Sequence, residues 1–407
     1  MKLKNTILFA IIFALGVGFG YKYVSNIEKN TKDAALPPNK AFISEIYDKI
    51  KENYWNNISD AELLELFKLS INQNGGNVTS AKFENKDKML DAISRNNPDV
   101  AKIASSVLAS LAPVGRSGLY TQKQEETLKN TVSNINPEKD LYKDLGLAKG
   151  ASEAAVEEAF RKQSATATPE KLKQLTYAKD TLTKKDTKEK YDSAGIEPTI
   201  FTRVLEPGIY YVQFKKFSPT SLEEFQKAFE SQKDNSKLTA LILDLRGNVG
   251  GAIDATAYFL GFFLGKGQYA FDFYHKGEYL PFKTQTDKLT GITKFKQVVV
   301  LIDQNSQSSS EMMAASLKKY HVGVVLGVPT KGWGTVERVF PLDNQIDPKQ
   351  KYSLFLVHSI TLRDDNLPIE GRGVEPDINI NDPAWQSKLL EYFNNPKLID
   401  AVKDILK

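Results

Sequence analysis

The chain has 407 residues, of which 41% are hydrophobic and 26% charged, and 54 basic residues against 50 acidic ones give a formal net charge of +4. These values are ordinary for a globular protein with two or three domains, and the even spread of basic residues argues against a nucleic-acid partner. Cysteine is absent, which excludes disulfides, thiolate metal ligands and a cysteine nucleophile. The histidines, His275, His321 and His358, lack a metal-binding spacing, so neither a metal nor another cofactor is predicted.

Residues 1–24 are predicted as an uncleaved signal anchor. Lys2 and Lys4 precede an uncharged apolar run from Ile7 to Tyr21, an order that keeps the N-terminus inside and exports the rest. The run is short for a bilayer span, but no clear Ala-x-Ala cleavage site follows it. The sequence therefore predicts a single-pass cell-membrane protein with most of the chain extracytoplasmic, and a linker at residues 25–40.

Residues 41–135 are predicted as an N-terminal helical domain. Apolar residues recur at helical spacing from Phe42 to Ile50 and again from Leu63 to Leu69. The polar, glycine-containing segment 72–77 interrupts this pattern, as expected of a turn between helices.

Residues 137–197 are predicted as a small helical insert that resembles a J-domain, the helical hairpin that stimulates ATP-driven heat-shock chaperones. The resemblance rests on four segments: Asp140–Leu147, Ala151–Lys162, Tyr177–Leu182 and Lys190–Gly195. The His-Pro-Asp tripeptide with which that family engages the chaperone is missing, and residues 163–170 stand in its place. We therefore interpret the insert as a scaffold or substrate-presenting element, with a chaperone adaptor as the alternative.

Residues 199–385 are predicted as an α/β domain. Apolar or β-rich runs at 209–214, 238–245, 298–302, 322–327 and 352–362 are separated by helical patterns at 221–230, 253–264 and 310–320. Strands that alternate with helices indicate a sheet flanked by helices. Residues 386–407 are predicted as C-terminal helices.

Three segments of this domain could carry chemistry. The first, Asp244-Leu-Arg-Gly-Asn-Val-Gly-Gly251, lies where a buried strand ends and a helix begins. Its paired glycines let the backbone approach a ligand and present N–H groups, which can bind a phosphate or stabilise an oxyanion. Many such turns, however, merely make room for packing.

The second segment, Asn305-Ser-Gln-Ser-Ser-Ser-Glu311, also lies between a buried strand and the start of a helix. A serine there can point its hydroxyl into a cleft, with helix N–H groups nearby to stabilise negative charge. Ser308-x-x-Glu311 also fits a capping box, which requires no catalysis.

The third segment, Thr330-Lys-Gly-Trp-Gly-Thr-Val-Glu337, follows the next strand. A lysine acts as a general base if burial lowers its pKa, and with no histidine nearby a Ser–Lys pair is the dyad to seek. The alternative for Lys331 is a solvated turn residue.

In this order the segments resemble the tail-specific, or C-terminal processing, serine peptidases of family S41. That family carries Asp-Leu-Arg-x-Asn-Pro-Gly-Gly, then Ser-Ala-Ser-Ala-Ser-Glu, then Gly-Lys-Gly-Thr-Val-Gln. Gly371-Arg-Gly-Val-Glu-Pro-Asp-Ile378 is similar to its closing Gly-x-Gly-Ile-x-Pro-Asp, and residues 111–120 are similar to the segment before its PDZ domain. The resemblance implies a ClpP/crotonase-like mixed sheet core with helices. No PDZ sequence is recognisable, and the J-like insert occupies its place.

The resemblance also implies roles for individual residues. Ser308 falls on the nucleophile, and the N–H of Ser309 with an N–H of Gly250 or Gly251 would form the oxyanion hole. The family's lysine base falls on Trp333, and its supporting glutamine is replaced by Glu337.

These two replacements leave the activity open. An indole N–H only donates, so Trp333 cannot accept the serine proton. Lys331 lies two residues earlier and would share a face with Trp333 in an extended segment, although the Glu337 carboxylate would favour its protonated form. The sequence thus supports a serine peptidase acting through Ser308 with Lys331 and Glu337, or a catalytically silent protein that binds peptides or C-terminal tails beside the membrane.

Overall fold

The computed structural model describes residues 36–96, 99–206, 208–363 and 365–407. Pro38–Lys407 form one compact unit. The predicted anchor, residues 1–24, lies outside the described residues, and no helix among those described is long and apolar enough to cross a membrane. The first described helix begins at Pro38, so the end of the predicted linker is helical. Proline suits a first helical position because the N–H it lacks would be unpaired there.

Four helices open the described chain: α1 (Pro38–Asn53), α2 (Asp60–Gln73), α3 (Lys86–Asn96) and α4 (Val100–Ser110). Ser59 and Asp99 cap the N-termini of α2 and α4 through their side chains. The buried core of this group includes Leu354 and Leu356, which lie in a strand near the other end of the chain. The predicted helical stretch is interrupted by strand β1 (Gly118–Thr121), and α5 (Gln122–Val132) follows it.

Residues 137–197 fold into short helices around a small core of their own. They are α6 (Leu141–Asp144), α7 (Glu153–Ser164), α8 (Pro169–Leu182) and α9 (Lys185–Ala194). The side chains of Ser152 and Thr168 cap α7 and α8. We call residues 137–197 the helical insert; its relation to J-domains stays a prediction.

A six-stranded sheet forms the centre of the α/β region, in the order β11-β8-β7-β4-β3-β2. Only the β2–β3 pair is antiparallel. The strands are β2 (Ile200–Glu206), β3 (Ile209–Phe214), β4 (Ala240–Asp244), β7 (Gln297–Ile302), β8 (Val324–Gly327) and β11 (Ile378–Asn379). Both faces are covered by apolar clusters, which explains the continuous hydrophobic runs of β4 and β7.

Helices cover this sheet. They are α10 (Ser221–Glu230), α11 (Thr256–Leu264), α12 (Thr290–Thr293), α13 (Ser309–Lys319), α14 (Trp385–Phe393) and α15 (Pro396–Leu406). Phenylalanines of α10 and α11 lie in one apolar cluster, and leucines of α14 and α15 lie in the other. A 3₁₀ turn at Ile253–Ala255 leads into α11.

The second sheet has five strands and is antiparallel throughout. Its strands are β1, β5 (Tyr269–His275), β6 (Glu278–Lys283), β9 (Thr335–Pro341) and β10 (Tyr352–Leu362). Of these the sequence predicted β10 alone. In the parallel sheet, β4, β7 and β8 each end at one of the three predicted motifs, which therefore lie at the same edge, where α/β sheets bind ligands.

Candidate active site

Ser308 lies in the turn between β7 and α13 with a strained backbone. Its φ of 57° and ψ of −122° lie in a region that non-glycine residues seldom adopt and that is characteristic of functional turns. Ser308 is partly exposed and is the N-cap of α13, with which Glu311 forms the predicted capping box. Ser308 therefore caps a helix and also lies where a nucleophile could lie.

The double-glycine turn packs directly against Ser308. A Cβ on Gly250 would lie 2.7 Å from the Ser308 Cβ, and one on Gly251 would lie 2.1 Å from the Phe217 carbonyl oxygen, so glycine is required at both positions. The carbonyl oxygen of Asn248 joins the two loops, because it accepts from the Gln307 N–H at 2.9 Å and from a serine hydroxyl of α13. The structure thus brings the first two motifs together.

The two glycines differ in what their N–H groups do. The Gly250 N–H donates to Asn248 Oδ1 at 2.8 Å. Among the described residues no acceptor binds the N–H of Gly251 or that of Ser309, the first residue of α13. Of the alternatives drawn from the sequence, this favours the Gly251 N–H paired with the Ser309 N–H as the oxyanion hole, an assignment that stays a prediction.

Glu311 connects the serine turn to the third motif. Its fully buried carboxylate accepts four hydrogen bonds, from the Ser308 N–H (2.7 Å), the Thr330 hydroxyl (2.5 Å), the Gly332 N–H (2.7 Å) and the Trp333 N–H (2.9 Å). Burial raises the pKa of Glu311, and these hydrogen bonds oppose that rise. The sequence indicated Glu311 only as a helix cap, since the spacing that reveals the cap does not show the carboxylate reaching residues 330–333.

Trp333, which the resemblance aligns with the family's lysine, is held from two sides. Its backbone N–H shares the Glu311 carboxylate with the backbone N–H of Ser308. Its indole N–H donates to Glu337 Oε1 at 3.2 Å, and the Arg116 guanidinium lies 3.5 Å from the ring centroid. Arg116 is in turn paired with Glu370 at 3.0 Å. The sequence analysis missed Arg116 and Glu370.

Lys331 is exposed, and its side chain forms no hydrogen bond with Ser308. Its backbone N–H donates to the Ser306 carbonyl oxygen at 3.0 Å, while no hydrogen bond or ion pair joins its ammonium to any described residue. The segment 331–334 is not a strand, and Gly332 has a φ of 77°. The alternation that would place Lys331 and Trp333 on one face is therefore not present, although a catalytic role for Lys331 stays a prediction.

Glu337 lies on β9 beside the indole. Its Oε1 also accepts from the Thr335 hydroxyl at 2.5 Å. Burial raises the pKa of Glu337, and the Arg116 charge partly opposes this. This arrangement holds the Trp333 indole, and a catalytic role for Glu337 stays a prediction.

The histidines are also not placed to act as the base. His275 and His358 stack on each other with their ring centroids 4.3 Å apart, and His321 is exposed after α13. Among the described residues no hydrogen bond joins a histidine ring to Ser308, and no cluster of three or more acidic or histidine side chains could hold a metal.

The buried imidazole of His358 leads us to expect that the folded state is less stable at acidic pH. Burial, with smaller effects from Arg338 and His275, lowers the pKa of His358 from 6.5 to about 3. The His358 imidazole therefore binds a proton more tightly in the unfolded chain than in the folded one. Its contribution to the free energy of unfolding is fully present above pH 6.5 and is lost as the pH falls from 6.5 toward 3. We expect His358→Phe to reduce the difference between the denaturation midpoints at neutral and mildly acidic pH. His321→Asn is the control, and an unchanged difference in His358→Phe would exclude His358 as the cause.

Comparison with known proteins bears on the α/β region. Residues 208–380 match the model of peptidase family S41. A "Carboxy-terminal-processing protease" of Bartonella bacilliformis is 28% identical over 183 residues, 44% of this chain and 40% of that protein. A "Probable CtpA-like serine protease" of Staphylococcus epidermidis is 26% identical over 203 residues, 50% of this chain and 39% of that protein. The matches thus span about two fifths of the length of these relatives.

Two solved structures are similar over most of the chain. A "photosystem II D1 C-terminal processing protease" has a TM-score of 0.49 and 14% identity, over 86% of this chain and 94% of that one. A lipoprotein from Streptococcus agalactiae has a TM-score of 0.47 and 13% identity, over 89% of this chain and 99% of that one. The homologues of the α/β region are C-terminal processing serine proteases, and the mixed α/β fold is the one the sequence predicted.

Proposed function

We propose that this chain binds unstructured polypeptides, such as C-terminal tails, at the Ser308 turn and does not cleave them through a Ser–Lys dyad. One observation carries the proposal: Trp333, which the resemblance aligns with the family's lysine, has an indole that donates to Glu337 and lies against Arg116. A group that only donates hydrogen bonds cannot take the serine proton, and a neutral hydroxyl is a weak nucleophile.

Three groups at the Ser308 turn support the binding of a peptide. The N–H groups of Gly251 and Ser309 have no acceptor among the described residues and can donate to a peptide carbonyl. Val249, beside the glycines, is 45% exposed and offers apolar contact to a side chain. Ser308 itself is partly exposed. These groups support binding whether or not the peptide is cut.

Hydrolysis through Ser308 with Lys331 as base is the second candidate. The strained backbone of Ser308 favours it, because such strain is typical of functional residues, and the relatives that the α/β region matches are serine proteases. This candidate requires the exposed Lys331 side chain to move toward Ser308 when a peptide binds. Attachment to the membrane through residues 1–24 and an extracytoplasmic location are further parts of the proposal that rest on the sequence alone.

The purified full-length chain, incubated with an unstructured protein such as casein, separates the two candidates. We expect binding, measured by co-sedimentation or anisotropy, and no cleavage above that of Ser308→Ala. Cleavage by the wild type that is lost in both Ser308→Ala and Lys331→Ala, but kept in the exposed control Lys349→Ala, would overturn the proposal and establish the peptidase. The absence of both binding and cleavage would contradict both.

A further inference from the structure

A surface cavity of about 880 Å³ lies between the helical insert and the α/β region. Helix α5, both ends of the insert, α8 and the residues after β3 form its walls, together with Arg246 and Gly247 of the first motif. Its lining is predominantly basic, with two acidic side chains, Glu138 and Glu197, against five basic ones: Lys139, Lys173, Lys215, Lys216 and Arg246.

Two of these cations approach the same aromatic ring. The Lys139 Nζ lies 4.3 Å and the Lys215 Nζ 4.6 Å from the Tyr177 ring centroid, and Lys215 is also 4.9 Å from the Phe201 ring. Each cation is attracted to the ring, but the two repel each other. The Tyr177 hydroxyl donates to the buried carboxylate of Glu197.

Lys139 and Lys215 differ from Arg246 in their ion pairing. Among the described residues no salt bridge involves Lys139 or Lys215, whereas Arg246 is already paired with Asp244 at 2.7 Å. Burial lowers the pKa of Lys215, and the charge of Lys139 lowers it further, with Glu197 opposing. Partly desolvated cations that repel each other gain most from an added anion.

We propose that this cavity binds side-chain carboxylates of an acidic peptide segment through Lys139 and Lys215, while the neighbouring part of the same peptide lies at Ser308. This inference rests on the proposed function and specifies its ligand. Gly247 lines the cavity and Gly250 contacts Ser308, and three residues of chain span at most about 11 Å, so the wall of the cavity and the Ser308 turn lie within the reach of one extended peptide.

A peptide fits this site better than a membrane surface does. The cavity is concave, and its volume lies within the range of small-ligand pockets. A flat lipid surface would not reach cations that lie over a ring between two parts of the fold, whereas a glutamate side chain would. Ile135 and Pro198 add apolar lining suited to the stem of such a side chain.

The test uses the full-length chain with Ser308→Ala, which prevents any hydrolysis through Ser308. Two labelled unstructured peptides are compared by anisotropy at low salt: one with a glutamate cluster, the other with glutamines in its place. We expect the acidic peptide to bind at least about tenfold more tightly, because hydrogen bonds to charged groups each contribute about a factor of ten or more. Lys139→Met with Lys215→Met should abolish the difference while keeping the apolar stems over Tyr177.

The matched control is Lys88→Met with Lys102→Met, two exposed lysines of α3 and α4, which should keep the preference. Equal binding of the two peptides by the parent chain overturns the inference and leaves the proposed function standing. A preference for the acidic peptide that survives in the Lys139/Lys215 variant also overturns the inference and leaves the proposed function standing. A third peptide carries phosphoserines in place of the glutamates, and its tight binding without binding of the glutamate peptide overturns the carboxylate assignment. Failure of all three peptides to bind overturns the proposed function itself, and the inference with it.

Discussion

Trp333→Lys combined with Glu337→Gln is expected to give the chain a peptidase activity that the wild type lacks. The Trp333 backbone is held beside Ser308 because the Glu311 carboxylate accepts from both N–H groups. A lysine on this backbone would occupy the family's base position. A positioned general base contributes about 10²- to 10⁴-fold, so we expect cleavage of casein at least about 100-fold above the background rate measured with Ser308→Ala.

The second substitution is needed because of charge. Glu337 lies within hydrogen-bond distance of the present indole, and its carboxylate would hold a new lysine in the protonated form. Glutamine removes that charge, while Arg116 remains to favour the neutral amine. Trp333→Lys alone should therefore cleave more slowly than the double variant and show a more alkaline pH optimum.

Adding Ser308→Ala to the double variant is the control, and it should return cleavage to background. Loss of the contact between Arg116 and the indole costs about 1 kcal/mol, so the folded state must be verified by thermal unfolding. A folded double variant that cleaves no faster than the wild type would show that the missing base is not what limits Ser308. Cleavage that survives Ser308→Ala would place the activity elsewhere.

The strands and helices of the parallel sheet could be predicted because short stretches of sequence carry their patterns. Strand β3 and helix α10 were predicted at their observed bounds, since a buried run and an amphipathic pattern are each readable within a few residues. The antiparallel sheet was mostly missed. Strand β6, Glu-Tyr-Leu-Pro-Phe-Lys, is largely exposed and contains a proline, and pairing with β5 rather than its own pattern makes it a strand.

The candidate site also has one part that could be predicted from the sequence and one that could not. The resemblance of the ordered motifs to the S41 peptidases implied that Ser308 lies near the double glycine. The structure supplies the physical reason, because the ends of neighbouring parallel strands meet at one edge. The contacts that surround Trp333 could not be predicted. Arg116 and its partner Glu370 are 254 residues apart in the chain, and neither lies in a pattern that indicates the other. Long-range side-chain pairing of this kind requires the fold.

Glu311→Ala is expected to destabilise the protein by about 4 kcal/mol, since removing one partner of a buried charged network leaves the others unpaired. Three backbone N–H groups and the Thr330 hydroxyl would lose an acceptor that is itself fully buried. The measurement is the free energy of unfolding from chemical denaturation. Glu311→Gln should also destabilise, because its amide N–H₂ would face N–H donors where a carboxylate oxygen now accepts.

The chain supplies a matched control for this substitution in Glu62, which caps α2 through the same Ser-x-x-Glu spacing but is exposed. Glu62→Ala removes an exposed capping interaction only, and we expect a much smaller cost than for Glu311→Ala. Equal costs for the two substitutions would mean that Glu311 is merely a helix cap. A much larger cost for Glu311 would show that its carboxylate joins the Ser308 turn to residues 330–333, because capping alone is common to both glutamates.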